Sequence, residues 1–431
     1  MNNIHFDRVN ELISWIESQR RFSPKVSLEK MEYYLSLFDN PHKKFKSIHV
    51  TGTNGKGSVV SFLKTTLMEA GFNVATFTSP YIIKFNERIC YNDEMISDNE
   101  LLEISNLILS KYPIILENNY EYPSFFEFCT LIAFIFYSKL KNLDIAIIEV
   151  GMGGRLDSTN VITPLISVIT NISLEHTNIL GSTLEEIAKE KLGIVKPNSY
   201  LVTGNIDKTL HAIFESHCKN IGSKWIKSLP REVEIVKKDI YSSQIILDNT
   251  KYEIGLSGSH QIENMICAYE TLNLLKTIDQ KWNLALSSEI YNRGFKKTKW
   301  QGRLEIVSEN PLIIIDGCHN IDGINKVCTF INDLDYKYKR AVVSISSDKD
   351  KEEMLSSISK VFDEIIFTKY TYSRSASNKE LYDLTKHHNK KIIENVRDSI
   401  EYCKTNKCEF TLYLGSLYLA SEVRNILKPL K

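Results

Sequence analysis

The chain has 431 residues, of which 43% are hydrophobic, and it carries 53 basic (Lys, Arg) and 53 acidic side chains. This length predicts two or three domains, and the zero net charge gives no sign of a nucleic-acid or anionic-membrane partner. The N-terminus lacks the continuous apolar stretch of a signal peptide, and the most apolar run, Leu131–Tyr137, is too short to span a bilayer. We therefore expect a cytoplasmic protein whose eight cysteines are unlinked thiols.

Short apolar segments alternate with helical patterns along most of the chain. Several are apolar throughout, which is typical of parallel strands covered on both faces. The pattern predicts an N-terminal P-loop, doubly wound α/β domain over 1–299 and a smaller Rossmann-like α/β domain over 300–431, with a hinge at 300–303 and a small β insertion near 232–256 in the first domain. The predicted strands are Ser47–Val50, Asn73–Thr78, Ile145–Val150, Ile166–Thr170, Leu312–Ile315, Ala341–Ile345, Glu364–Thr368 and Thr411–Leu414, and the predicted helices include Val59–Ala70 and Leu184–Leu192.

A glycine-rich loop connects the first of these strands to the helix Val59–Ala70. In such a strand–loop–helix unit the glycines let backbone N–H groups converge on phosphate oxygens, and the helix N-terminus adds partial positive charge. Lys56 is therefore predicted to reach the β- and γ-phosphates of ATP, and Ser58 to face a magnesium ion. The loop residues are Thr51, Gly52, Thr53, Asn54, Gly55, Lys56, Gly57 and Ser58.

This loop resembles the phosphate loop of the Mur ligase superfamily, including the single glycine between its lysine and serine. Further motifs narrow the resemblance to the folylpolyglutamate synthase/dihydrofolate synthase family. It implies an ATP-dependent ligase that forms an acyl phosphate on a folate carboxylate and transfers the acyl group to L-glutamate, acting as a monomer. These motifs are Thr78-Ser79-Pro80, Asn86-Glu87-Arg88-Ile89, Ser124-Phe125-Phe126-Glu127-Phe128 and the segment Glu149–Asn160.

Polar side chains follow two neighbouring predicted strands, Glu149 at the end of one and His176 after the next. The carboxyl ends of parallel strands share the edge at which α/β proteins bind ligands, and Mg²⁺ prefers oxygen ligands. The resemblance implies that Ser79, Glu149 and His176 bind magnesium. It also implies that Lys191 is carbamylated and supports a second Mg²⁺, whereas the charge pattern of its helix alone indicates a solvated face.

Three side chains are expected to face a substrate. The glycine-rich segment 151–154 would let Arg155 and Asp157 turn toward a substrate, and Phe126 could stack on a pterin or aminobenzoyl ring, although aromatic residues at this spacing are often core residues. The segment Phe22–Leu28 resembles the region that approaches the pteroate. Tyr81 stands where the family commonly has a histidine, which alters the expected folate contacts.

In the C-terminal half the resemblance implies ATP contacts by Asn264, Arg303 and Asp316. It places His319 beside the reacting phosphates as a catalytic residue. Arg374 matches a family position that could hold the incoming amino acid, although an exposed charge without a ligand would have the same pattern. Cys318 replaces an alanine of the family; a catalytic thiol would need an activating base, and no such role is expected for Cys318.

Two other functions remain open at this stage. A cell-wall Mur ligase would carry a separate domain before the phosphate loop, and Gly52 leaves too little chain for it. A regulatory P-loop ATPase would not need Glu149 or His176. The choice between dihydropteroate, which gives dihydrofolate, and tetrahydrofolate, which gives polyglutamates, also remains open.

Overall fold

The structure is a computed structural model that describes residues 4–20, 27–229 and 231–428. It consists of two compact units, residues 1–231 with 263–295 and residues 232–262 with 296–431. Both units are α/β, as the alternation of strands and helices predicted. Among the described residues, no helix combines the length and the apolar character needed to cross a membrane.

The first unit is built on an eight-stranded sheet. Its order is β4-β3-β2-β5-β1-β6-β7-β8; β3 and β4 add antiparallel edges to a parallel core. The strand that precedes the phosphate loop, β1, therefore lies at the centre, between β5 and β6. The strands are β1 Ser47–Thr51, β2 Val74–Phe77, β3 Ile89–Tyr91, β4 Glu94–Met95, β5 Ile145–Glu149, β6 Ile166–Asn171, β7 Tyr200–Asn205 and β8 Lys224–Lys227.

Helices cover this sheet, and two of those near the site begin with a capping box. In α6 the pair is Ser124 and Glu127, and in α8 it is Thr183 and Glu186, so side chains satisfy the first free N–H groups of each helix. The helices are α1 Val9–Ser18, α2 Leu28–Ser36, α3 Lys56–Glu69, α4 Asp98–Leu109, α5 Tyr112–Glu117, α6 Phe125–Lys139, α7 Thr177–Leu180, α8 Leu184–Leu192, α9 His211–Asn220, α10 Ser259–Ile278, α11 Gln280–Ala285 and α12 Ser288–Lys297; α10 begins and α12 ends in the second unit.

The second unit contains two sheets. A six-stranded sheet has the order β12-β13-β17-β14-β15-β16, and a three-stranded antiparallel sheet has the order β11-β10-β9. The small sheet was expected in the first domain, whereas the structure groups it with the second unit. The strands are β9 Glu234–Lys238, β10 Ser243–Leu247, β11 Thr250–Ile254, β12 Glu305–Glu309, β13 Leu312–Ile315, β14 Lys339–Val343, β15 Glu364–Lys369, β16 Lys390–Asn395 and β17 Phe410–Leu414.

Helices cover both faces of the six-stranded sheet. One buried cluster contains side chains of α13, α14 and α15, and another contains side chains of α16 and α17. This arrangement is the doubly wound, Rossmann-like form predicted for the C-terminal domain. The helices are α13 Ile321–Asn332, α14 Lys351–Ser359, α15 Asn378–Leu384, α16 Val396–Thr405 and α17 Leu417–Leu427.

Candidate functional site

The end of β6 fixes the phosphate loop. Thr53 N–H donates to the Asn171 carbonyl (3.1 Å) and Asn54 N–H donates to Asn171 Oδ1 (2.9 Å). In return, Thr170 Oγ1 donates to the Asn54 carbonyl (2.6 Å). A Cβ on Gly52 would lie 1.8 Å from Thr170 Oγ1, so only glycine fits at this close approach. These contacts therefore hold the loop in shape.

Lys56 begins α3 and folds back over this loop. Its Nζ donates to the carbonyls of Gly52 (2.9 Å) and Thr53 (3.0 Å). Ser58 lies in the first turn of α3 and is buried. The structure therefore places an ammonium group and a hydroxyl at the helix N-terminus, where an anion is favoured.

Asn264, on α10, contacts the phosphate loop. Gly55 has a φ of +85°, and a Cβ at this position would lie 2.3 Å from Asn264 Oδ1. The resemblance implied that Asn264 contacts ATP, and the structure brings it to the loop that would hold the phosphates. Gly57 follows within the first turn of α3.

Glu149 ends β5 beside the strand that carries the phosphate loop. Its partner in the register is Val50 of β1, and only 3% of the residue is exposed. Ser79 N–H donates to Glu149 Oε2 (3.1 Å), which brings two of the predicted metal ligands together. His176 lies at the start of α7 with a positive φ of 51° and is exposed. Its role as a metal ligand stays a prediction.

Residues 151–160, which follow Glu149, are clamped to β1. Thr51 Oγ1 donates to the Gly153 carbonyl (2.6 Å), and the His49 Nε2 lies 2.8 Å from Thr159 Oγ1. Thr159 Oγ1 in turn donates to Asp157 Oδ1 (2.5 Å). Because Thr159 uses its own proton for Asp157, its hydroxyl accepts from His49, which must carry its proton on Nε2.

Asp157 organises this segment from within. It is 8% exposed, and its carboxylate accepts hydrogen bonds from Met152 N–H (3.0 Å) and from the N–H (3.0 Å) and hydroxyl of Thr159. Burial raises the pKa of Asp157, and these donors oppose the rise. The carboxylate therefore shapes the loop, while Arg155 is more exposed and pairs with Glu190 of α8 (2.8 Å).

Lys191 lies behind the same segment. A Cβ on Gly154 would lie 3.1 Å from Lys191 Cα, and the lysine is only 3% exposed. Burial, together with a smaller effect of the Lys56 charge, lowers the pKa of Lys191 to about 7, although Glu175 and Asp157 act in the opposite direction. A neutral, nucleophilic amine is therefore available near neutral pH, which is the chemical requirement for carbamylation.

Phe126 packs against the start of this segment. A Cβ on Gly151 would lie 2.5 Å from the Phe126 ring, and the ring also contacts Phe77 (centroids 5.6 Å apart). Phe126 is half-buried, so it is partly a core residue and partly available to a ligand. The segment Phe22–Leu28 was expected near the same ligand, and residues 22–26 of it lie outside the described residues.

In the second unit, Asp316 follows β13 and is almost fully buried. Its carboxylate accepts from Leu304 N–H (2.9 Å) and Cys318 N–H (2.8 Å). His319 Nδ1 lies 3.0 Å from the Gly317 carbonyl. Arg303 and Asp316 both act electrostatically on the half-buried His260, so these predicted nucleotide contacts lie in one region of the second unit.

Arg374 lies after β15 and pairs with Asp348 after β14 (3.2 Å). Both side chains are close to half-exposed, with 41% and 47% of their surfaces accessible. The pair lies at the carboxyl ends of neighbouring parallel strands, where a ligand is expected. Its role in holding an amino acid stays a prediction.

Sequence patterns did not reveal the contacts of some polar residues around this site. Glu127 caps α6 through Ser124 N–H (2.7 Å) and forms a buried ion pair with Lys30 (3.3 Å). The partnership of His49 with Thr159 was also missed, because it joins residues 110 positions apart. The capping-box spacing of Ser124 and Glu127 was the one available signal.

The chain matches known families over both units. Residues 50–272 match the Mur ligase middle domain, and residues 302–411 match the glutamate ligase domain of Mur ligases. A dihydrofolate synthase/folylpolyglutamate synthase of Bacillus subtilis (strain 168) is 35% identical over 437 aligned residues, covering 98% of this chain and all of the relative.

Solved structures of similar fold align with nearly the whole chain. The folylpolyglutamate synthase of Thermotoga maritima has a TM-score of 0.82 at 31% identity, with 97% of this chain and 96% of that chain covered. An FPGS–AMPPCP–folate complex has a TM-score of 0.82 at 29% identity, with 98% and 100% covered.

Proposed function

Because the chain belongs to the dihydrofolate synthase/folylpolyglutamate synthase family, we propose that it uses ATP to join L-glutamate to a folate carboxylate through an acyl phosphate. The phosphate loop is the observation that carries this proposal, since it follows β1 and holds Lys56, while the buried Glu149 ends the neighbouring strand β5. A similar chain binds both AMPPCP and folate. We propose that Asn264, Arg303 and Asp316 contact the nucleotide.

The residues around Glu149 fit magnesium. Mg²⁺ keeps several waters and binds through one or two carboxylates plus substrate phosphates, so a single buried carboxylate suffices. The described residues contain no cluster of three or more His, Cys, Asp or Glu that would favour another metal. Glu149 and Ser79, with Ser58 and His176, would hold it. Bound magnesium would neutralise phosphate charge during transfer.

Lys56 supplies the chain's own charge for the first step. In the described structure its Nζ is held by two loop carbonyls, so it is already placed over the loop. We propose that it donates to the γ-phosphate while the folate carboxylate attacks phosphorus and ADP leaves. Phosphoryl transfer of this kind is catalysed largely by positioning and electrostatic stabilisation.

Lys191 is proposed to act as a carbamate. Its neutral amine would attack CO₂, form an N–C bond and release a proton, which converts a buried cation into an anion. This anion would support a second magnesium. The low pKa of Lys191 supports this proposal, because only the neutral amine reacts.

The second step needs an amine and a protected intermediate. The neutral amine of L-glutamate attacks the acyl carbon, and phosphate leaves. We propose that Arg374 holds a carboxylate of this glutamate and that His319 lies beside the departing phosphate. Phe126, Arg155 and the loop shaped by Asp157 would face the folate. Exclusion of water is required here, because hydrolysis of the acyl phosphate would waste ATP.

Two acceptors should be supplied separately to the full chain with ATP, Mg²⁺ and L-glutamate. Mass spectrometry of the products is expected to show addition of a glutamyl group to tetrahydrofolate, to dihydropteroate, or to both. The Lys56→Ala variant should lose about a hundredfold in rate, because one stabilising charge is removed. Phosphate release that depends on neither folate nor glutamate would contradict the proposal and indicate a simple ATPase.

A further inference from the structure

Arg88 is a buried cation enclosed by aromatic rings. It ends the short 3-10 turn Phe85–Arg88 and is 5% exposed. Its guanidinium carbon lies 5.1 Å from the ring centroid of Tyr81, 5.7 Å from that of Phe85 and 5.1 Å from that of Phe125. We call these four residues the Arg88 cage.

No anion neutralises this guanidinium among the residues that the structure describes. Its Nε is buried and has no hydrogen-bond partner there, and no carboxylate lies within ion-pair distance. Arg340 is similarly buried, yet it pairs with Glu364 at 2.6 Å. The buried Lys30 likewise pairs with Glu127 (3.3 Å). Among the described residues, Arg88 therefore lacks the carboxylate partner that both Arg340 and Lys30 have.

A buried charge is costly unless an opposite charge and hydrogen bonds compensate it. The three aromatic faces attract the cation and compensate only part of that cost. The N–H donors of the guanidinium, among them the Nε that has no partner in the described residues, lie along its planar edge. A carboxylate matches this edge with two parallel hydrogen bonds. The chemistry of the cage therefore favours a carboxylate ligand.

The cage adjoins the proposed reaction centre. The Arg88 carbonyl accepts from Thr78 N–H (2.9 Å), and the next residue, Ser79, donates to Glu149. On the other wall, Phe125 directly precedes Phe126, whose ring packs against Gly151. Both flanks of the cage thus lead to the segment that begins at Glu149.

Tyr81 is held as one wall of the cage. Its hydroxyl donates to Glu17 Oε1 of α1 (2.5 Å), and its ring packs near Phe85 (centroids 6.1 Å apart). A histidine, the family's common residue, is shorter and would not reach from the guanidinium of Arg88 to the Glu17 carboxylate in the same way. The hydrogen bond to Glu17 therefore fixes the ring that covers the guanidinium in this chain.

We propose that Arg88 binds the carboxylate of a glutamylated folate that does not react. This inference rests on the proposed function. The terminal glutamate of tetrahydrofolate carries two carboxylates. The γ-carboxylate is phosphorylated, whereas the α-carboxylate does not react and must give up its hydration shell when it enters the site. Dihydropteroate has only its reacting carboxylate. Arg88 is thus a specificity residue for glutamylated acceptors and is not needed for dihydropteroate.

Three acceptors separate this role from a structural one. Tetrahydrofolate has both carboxylates, tetrahydropteroyl-γ-aminobutyrate keeps the reacting carboxylate and lacks the α-carboxylate, and dihydropteroate lacks the glutamate. For Arg88→Met, the KM for tetrahydrofolate should rise by about tenfold to a hundredfold, the range of a lost charge-assisted contact. The KM values of the other two acceptors should stay within about twofold.

Two variants and one binding measurement complete the test. Arg88→Lys keeps the charge without the planar fork and should recover part of the lost affinity for tetrahydrofolate. Lys84→Met removes an exposed charge from the same loop and should leave the KM of all three acceptors unchanged. The melting temperature of Arg88→Met should be no lower than that of the wild type, because an unpaired buried cation is removed. Tetrahydrofolate binding without turnover should weaken in Arg88→Met alone.

Equal losses for all three acceptors, or unchanged binding of tetrahydrofolate by Arg88→Met, would overturn the proposal. So would a wild-type enzyme that accepts dihydropteroate and does not bind tetrahydrofolate, although the ligase function would then stand. Failure of the proposed function has a different signature. In that case the wild type forms no glutamylated product from any acceptor.

Discussion

His49 illustrates how one buried side chain gains a fixed protonation state from its partners. Burial, reinforced by the charge of Lys196, lowers the pKa of His49 to about 3 from an ordinary value of 6.5. As pH falls below about 6.5, the unfolded chain takes up a proton that the folded chain refuses. The stability contributed by neutral His49 is therefore present above pH 6.5 and is lost progressively as pH falls toward 3.

Replacing His49 by glutamine should reduce this acid sensitivity. Glutamine keeps an N–H donor for Thr159 and does not titrate. Between pH 7 and pH 5 the wild type should lose about 2 kcal/mol more unfolding free energy than His49→Gln. Urea denaturation at the two pH values measures this difference. His388→Gln, which changes an exposed histidine, is the matched control, and equal pH slopes for His49→Gln and wild type would refute the explanation.

Lys191 is a second buried side chain whose protonation state should affect a measurable property. The pKa of Lys191 is about 7. Above this pH the amine is mostly neutral and can react with CO₂, whereas below it the amine is mostly protonated and unreactive. Removing CO₂ and bicarbonate should therefore lower the rate of glutamate addition, bicarbonate should restore it, and the restoration should fade as pH drops below 7. The carbamate itself is detected by ¹³C NMR after addition of labelled bicarbonate.

Variants of the same helix provide the comparison. Lys191→Gln should lower kcat about a hundredfold, because the anion proposed to support a second magnesium is lost, and its rate should not respond to bicarbonate. Lys189→Gln alters an exposed lysine two residues earlier and should behave as the wild type. A wild-type rate that is indifferent to CO₂, with no carbamate signal, would show that Lys191 acts as an amine.

Motifs made several site residues predictable, and distant packing made others unpredictable. Lys56, Glu149 and Asn264 belong to recognisable local patterns, and the structure brings Asn264 to the phosphate loop. Asp157 was expected to face a substrate, yet its carboxylate is occupied by the loop that it shapes. That Arg88 has no carboxylate partner in the described part of the chain depends on which side chains surround it, and no sequence pattern encodes that.

At the level of elements, strand centres were easier to predict than boundaries. Apolar runs identified β5 and β13 within one residue, because burial on both faces requires continuous apolar side chains. The helix predicted over Val59–Ala70 begins three residues earlier, at Lys56. Its first turn consists of polar and glycine residues of the phosphate loop, so apolar periodicity cannot mark the start.

The two ends of α3 allow a matched test of the phosphate loop. Gly55 and Gly71 have φ values of +85° and +87°, but only Gly55 has a neighbour, Asn264 Oδ1, where a Cβ would lie. Gly71→Ala should cost about 1 kcal/mol of stability through backbone strain and leave ATP binding unchanged. Gly55→Ala should lose a similar amount of stability and should also raise the KM for ATP by at least about tenfold. Equal KM values for the two variants would show that the contact with Asn264 has no role.

For the whole molecule, the α/β class and the family follow from the sequence, but the grouping of the small sheet does not. Residues 232–256 precede the predicted hinge, which suggested that they belong to the first domain. In the structure, Ile240 joins the buried cluster around Phe330, and Lys238 pairs with Asp333 (2.7 Å). These contacts cross about 90 positions and depend on tertiary packing, which no local pattern reports.

The eight cysteines give a prediction for the molecule as a whole. All eight are free thiols: six are buried, and only Cys90 and Cys408 are half-buried. Burial raises the pKa of Cys318 well above its ordinary value, so its thiolate is scarce even though it lies between Asp316 and His319. Native protein treated with iodoacetamide should therefore take up at most two labels and keep its activity.

Mass spectrometry before and after unfolding measures this directly. Unfolding in urea should expose all eight thiols to the reagent, and reductant should change neither the native mass nor the rate. Cys318→Ala removes the thiol nearest the proposed nucleotide contacts and should retain wild-type activity, because the buried thiol has no activating base and no step requires it. Inactivation that follows the labelling of Cys318, and that Cys318→Ala resists, would instead place this thiol in contact with the reacting groups.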